Sequence, residues 1–151
     1  MTMLETIREK LGVAGPWVEQ RGVHWLDCTG VNVRTLAAAM NACGARFITI
    51  TAYELPADTG FRMEYHWDLG GQLLGFALPL ESKSIDSIYD LCEAADWIER
   101  EIHEEYTLDF AGRVYEPLLL REGNTPGVNL RETGASGKPA SGLVGKQEVA
   151  R

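Results

Sequence analysis

The chain has 151 residues, with 22 aspartates and glutamates against 14 lysines and arginines and a formal net charge of −8. That length suits one domain with a substantial core, and the acidic balance argues against nucleic acid and anionic membrane surfaces as partners. Cys28, Cys43 and Cys92 form no Cys-x-x-Cys pair, so reduced structural thiols in a cytoplasmic compartment are expected rather than a disulfide frame.

In chain order, Met3, Leu4, Ile7 and Leu11 share one face of a short N-terminal helix that Gly12 can end. No basic-then-apolar leader precedes it, so no signal peptide is expected. Gly15-Pro16 opens a linker, and Val23 to Cys28 reads as a first strand. Asn32 is placed to cap a helix whose Val33, Leu36, Ala37, Met40 and Cys43 form an apolar stripe, with Gly44 as its stop. Arg46 to Glu54 is rich in β-branched and aromatic residues and reads as a second strand.

Phe61, Met63, Tyr65, Trp67 and Leu69 alternate with Arg62, Glu64, His66, Asp68 and Gly70. Period two predicts a strand with one buried and one polar face. Gly70-Gly71 is a hairpin turn into a strand from Gln72 to Leu78, with Pro79 at that strand's end or edge. The stretch Leu73 to Leu80 is the longest apolar run and is too short to span a bilayer. Ile85 to Leu91 and Ala94 to Tyr106 read as one bent helix or two consecutive ones. The order predicts an α+β fold: an antiparallel sheet of about four strands with helices packed on one face. It occupies residues 1–121, which carry ten basic and nineteen acidic groups.

The segment Ala95-Asp96-Trp97-Ile98-Glu99-Arg100-Glu101-Ile102-His103-Glu104-Glu105-Tyr106 is a charged helix with an apolar seam through Ala95, Ile98, Ile102 and Tyr106. Trp97, Glu101 and Glu104 fall on a neighbouring face, and a bulky aromatic beside carboxylates suits docking. Trp-Ile-Glu-Arg-Glu-Ile-His-Glu-Glu-Tyr, followed by Leu108-Asp109-Phe110, resembles the signature of the 30 kDa (C) subunit of NADH:quinone oxidoreductase. That family includes the equivalent subunit of membrane-bound, energy-converting nickel-iron hydrogenases. Trp97, Glu99, Arg100, Glu101, Glu104, Tyr106 and Phe110 match position by position. Thr107 stands where the family has glycine, so the turn closing the helix is expected to be made differently. The usual Gly-His-Pro-x-Leu-Arg-Arg segment is reduced to Gly112-Arg113-Val114-Tyr115-Glu116-Pro117-Leu118.

The resemblance implies the same α+β architecture and a cofactor-free accessory subunit of a membrane-associated oxidoreductase. Such a subunit sits in the cytoplasmic arm, peripheral to the inner membrane. Its partners there are a large catalytic subunit (49 kDa-like or hydrogenase large) and a small iron-sulfur subunit. On that reading Trp97, Glu99, Arg100, Glu101, Glu104 and Tyr106 face a partner, Trp97 as an anchor and Arg100 in a charge-assisted contact with a carboxylate on the partner or its own helix. Glu99, Glu101 and Glu104 either meet basic groups of the partner or fix the helix orientation. The alternative is a free-standing α+β domain that binds a small ligand or regulates, with Phe61, Tyr65 and Trp67 lining a pocket.

From Glu122 the composition turns to glycine and proline with few apolar residues. Residues 122–151 are expected as an extended or partly disordered tail, with Leu130 and Arg131 as partner anchors. Catalytic groups are not expected. His24, His66 and His103 have no metal-ligand spacing, and there is no nucleophile elbow, phosphate loop or dinucleotide fingerprint. Glu99, Glu101, Glu104 and Glu105 are hard-metal ligand types, but Glu101 and Glu105 flank the apolar seam rather than converge and Arg100 competes as a counter-ion, so no metal is expected, and the resemblance implies no other cofactor.

Overall fold

The computed structural model describes residues 2–56 and 59–127. Helix α1 (Met3–Lys10) opens on a capping box in which Thr2 Oγ1 accepts the Glu5 N–H and the Glu5 carboxylate accepts the Thr2 N–H. Strand β1 (Val18–Gln20) then pairs antiparallel with β2 (Val23–Asp27). This strand lies where the sequence reads a linker. All three of its residues are exposed, so no alternating pattern announces it. The turn specifies it instead: Arg21 and Gly22 both take positive φ, +53° and +77°, as a two-residue hairpin loop of this twist requires.

Helix α2 (Val33–Ala42) starts as its sequence dictates, with Asn32 Oδ1 accepting the N–H groups of Arg34 and Thr35. Strands β3 (Arg46–Glu54), β4 (Phe61–Leu69) and β5 (Gln72–Leu80) form the expected antiparallel meander. The sheet is ordered β1-β2-β5-β4-β3, so β2 lies parallel beside β5. Pro79 fits because β2 ends opposite Ala77, leaving no ladder on that side for its missing N–H.

Alternation along β4 and a continuous buried run along β5 build the core. Met63, Tyr65, Trp67, Leu74 and Phe76 are fully buried, packed in one cluster with Ile7 of α1, Leu36 and Met40 of α2, and Ile102 beyond them. The rings of Phe47 and Phe76 meet Trp67 edge-on at 5.4 and 5.6 Å. Phe61, Tyr65 and Trp67 are therefore core packing. On the opposite face Trp25 lies across Gly75, so close that a Cβ there would sit 2.6 Å from the indole.

The helix expected over Ile85–Leu91 is absent. Ser84–Asp86 is a strand, β6, paired in parallel with β7 (Asp109–Ala111) in a separate two-stranded ribbon. A tight turn follows, with Cys92 and Leu91 N–H groups both donating to the Ile88 carbonyl. The reason is a competing acceptor: the Ile88 N–H donates to a buried carboxylate eleven residues onward, and the backbone turns to reach it. Helix α3 (Ala95–Tyr106) then runs between the two strands of that ribbon in chain order.

Candidate functional site

Helix α3 carries the residues that the sequence singles out, and its faces divide their roles. Ala95, Glu99 and Ile102 point inward. Glu99 is 0% exposed. Its Oε1 accepts the Ile88 N–H at 2.8 Å and its Oε2 accepts the Ser87 hydroxyl at 2.5 Å. Arg113 Nη1 donates to Oε2 at 2.9 Å, while its Nη2 pairs with Asp96. The guanidinium is 4% exposed and lies 4.9 Å from the Tyr89 ring centroid and 5.3 Å from that of Tyr115. A buried carboxylate is tolerable only with its charge matched and its lone pairs occupied. Here Ser87, Ile88 and Arg113 meet both needs.

Glu104, 6% exposed, faces the chain segment that follows β7. Its two oxygens accept the N–H groups of Leu118, Leu119 and Leu120 at 2.6, 2.8 and 3.1 Å, and its backbone carbonyl accepts the Gly127 N–H. Arg100 holds the same strap from the other side, donating Nε to the Glu116 carbonyl and Nη2 to that of Pro117, both at 3.0 Å. Its ion pair with Asp96 on its own helix is longer, 3.4 Å. His103 stacks on Tyr115 with centroids 3.6 Å apart. Of the two roles expected for the carboxylates, Glu99 and Glu104 thus occupy the inward one, fixing α3 against its own chain. Tyr106 is half-buried against Phe61.

Burial pushes the Glu104 carboxyl up, but the three strap N–H groups outweigh it and hold the group below its ordinary value of 4.5. A depressed folded value means stability that is fully present above pH 4.5 and lost as pH falls through the folded value. Hydrogen exchange measured between neutral and acid pH, corrected for intrinsic rates, is expected to show Leu118–Leu120 losing protection in that acid range before the β4 and β5 amides do.

Outward, the surface is different in kind. Trp97 is 70% exposed. It is therefore not a core residue; its neighbour in sequence, Asp96, lines a cleft of about 450 Å³ together with Tyr89, Arg100, Gly112, Arg113, Val114 and Glu116. Val114 and Leu119 on the strap are exposed as well. Glu101 is half-exposed and makes no ion pair among the described residues. Leu130 and Arg131 lie outside the described residues.

Thr107 closes α3 in the left-handed conformation, φ +58° and ψ +25°, its N–H donating to the His103 carbonyl. The turn is thus made in the left-handed region that glycine favours, without the glycine, against the expectation that it would be made differently. A threonine there costs on the order of 1 kcal/mol. Thr107→Gly is expected to raise the urea midpoint by a stabilisation of about that size.

The sequence reading missed Arg113 and Ser87, which complete the buried network. Glu99 itself had a signal: Ala95, Glu99 and Ile102 stand at i, i+4 and i+7, the spacing of one buried face. Arg113 had none, being fourteen residues from its partner. Among the described residues, no three His, Cys, Asp or Glu side chains gather in a metal-holding group, and no helix is long and apolar enough to cross a membrane.

Residues 28–137 match the family described as the 30 kDa subunit of respiratory-chain NADH dehydrogenase. A chain from the membrane-bound sulfane sulfur reductase, an archaeal respiratory membrane complex, superposes with a TM-score of 0.65 at 18% identity, covering 74% of this chain and 70% of that one. A trypsin-resistant fragment of Nqo5 superposes at 0.57 and 19% identity, covering 75% and 96%. At these identities the two structures show a shared fold. No curated protein sequence matches significantly.

Proposed function

Because the chain belongs to the family of the 30 kDa subunit of respiratory-chain NADH dehydrogenase, we propose that it is a cofactor-free accessory subunit of a membrane-associated oxidoreductase. The complex is of the energy-converting hydrogenase or complex I-like type. In this reading the chain sits in the cytoplasmic arm, peripheral to the membrane, and stabilises the contact between a large catalytic subunit and a small iron-sulfur subunit. Electrons pass through groups held by those neighbours. Its own task is mechanical: to hold a rigid docking face and keep water from the joint.

The observation that carries this reading is Trp97. A tryptophan left 70% exposed gains little from the fold that carries it, and its helix is held from behind by the Glu99–Arg113 and Glu104 contacts. Exposed aromatic anchors on rigid supports are what interfaces use for affinity. Trp97→Ala is expected to weaken partner retention by about 2 kcal/mol or more, roughly thirtyfold. It should change the stability of the isolated chain by less than about 0.5 kcal/mol. Affinity purification of the tagged protein in mild detergent, with thermal unfolding in parallel, reads both. Undiminished partner retention in the variant would sink the proposal.

A further inference from the structure

We infer that the partner segment seated on Trp97 is basic, carrying at least two arginines or lysines within reach of one helical face. The inference rests on the docking role of Trp97 and specifies what docks there. On α3, Trp97, Glu101 and Glu105 stand at four-residue intervals and form one stripe, and Glu93 precedes Trp97 by four residues. Glu93 lies in the turn leading into α3, its carbonyl accepting the Asp96 N–H.

None of these three carboxylates has an ion pair among the described residues, although arginines are close at hand. Arg100 is spent on the Glu116 and Pro117 carbonyls and on Asp96. Arg113 is bound to Glu99 and Asp96, and Arg34 to Asp90. The fold has thus given Asp90, Asp96 and Glu99 their cations and Glu104 its backbone donors, and has left Glu93, Glu101 and Glu105 without a matching charge around an exposed indole. Like charges four residues apart repel along a helix. The same row attracts a cationic partner, whose guanidinium or ammonium groups pair with the carboxylates while one of them lies over the Trp97 ring. An anionic lipid surface is repelled by this row.

The test uses the full chain purified from its native membranes. In one variant Glu93, Glu101 and Glu105 are all changed to Lys; in a second all three become Gln; a third is Trp97→Ala. A fourth, Trp97→p-benzoylphenylalanine, is photo-crosslinked in place and the joined peptide sequenced. Expected is about a tenfold or greater fall in co-purified partner for the Lys variant at physiological salt. The Gln variant should show weaker retention that no longer depends on salt, and the cross-linked partner peptide should hold at least two arginines or lysines. If the Lys variant fails to fold, as thermal unfolding would reveal, the salt dependence of the Gln variant decides. Full retention by the charge variants with loss in Trp97→Ala overturns the basic segment and leaves the docking role standing. Full retention by all of them overturns both. A cross-link to residues 128–151 of the chain itself, to lipid, or to an acidic segment also overturns the inference.

Discussion

Glu99→Ala is expected to destabilise the protein by about 3–5 kcal/mol, a large share of the stability of a domain this size. The cost does not come from the lost contacts alone. Removing the carboxylate leaves the Arg113 guanidinium, 4% exposed, with only Asp96 to balance it. It also strips the acceptor from the Ile88 N–H and the Ser87 hydroxyl, both inside the protein, and an orphaned buried donor costs about 1–3 kcal/mol. Because these donors belong to the turn after β6, the loss should reach the β6–β7 ribbon as well as α3. Chemical denaturation of Glu99→Ala, Arg113→Leu and a Glu99→Leu/Arg113→Leu double variant separates the terms. The double variant should recover much of the loss, since an apolar pair carries no desolvation penalty. A loss below about 1 kcal/mol in the single variant would show that the carboxylate is not what holds α3 to the turn.

Gly60→Ala should cost about 3 kcal/mol or more, with the damage centred on the start of β4. Gly60 has φ +117°, and a Cβ there would stand 2.1 Å from the Leu80 carbonyl oxygen and 3.2 Å from Glu81 Cα. Both obstacles are backbone, so no side-chain rotation relieves them. The neighbouring Phe61↔Leu80 pair closes the β4–β5 ladder, and the Gly60 carbonyl accepts the Leu55 N–H at the end of β3. Separating the chains by even half an ångström therefore disturbs three strands. Gly70→Ala is the control: φ is +59° with open space around it, so its cost should stay near 1 kcal/mol. Equal midpoints for the two variants in urea would contradict the steric account.

The elements written most plainly in the sequence are those whose pattern is local. Period two over Phe61–Leu69 and the β-branched run Arg46–Glu54 give both strands with their observed bounds, and Asn32 marks the start of α2 by its capping chemistry. Three-residue strands carry no such pattern. β6 and β7 exist because each supplies the other's partner twenty-five residues away, Ser84 opposite Asp109. The same limit hides half of the site. Glu99, Glu101 and Glu104 look alike as a row of acids, and the fold gives them opposite fates: Glu99 turns inward to the turn after β6 and to Arg113, Glu104 turns to the segment after β7, and Glu101 stays out. Trp97 was legible as a large aromatic on a charged helix; that it is bare rather than packed is set by how α3 rotates to bury Glu99.

The parallel pairing of β2 with β5 dictates an order of assembly. Val23 meets Leu73, fifty residues later, whereas β3, β4 and β5 are joined by short connections. Loop closure favours the meander as the first structure to form, and β2 can add only once β5 exists to receive it. During synthesis, then, Leu26 has no core to enter and Trp25 has no Gly75 to cover until β5, the central strand of the sheet, has emerged. The N-terminal third of the chain must wait, exposed, for its own middle.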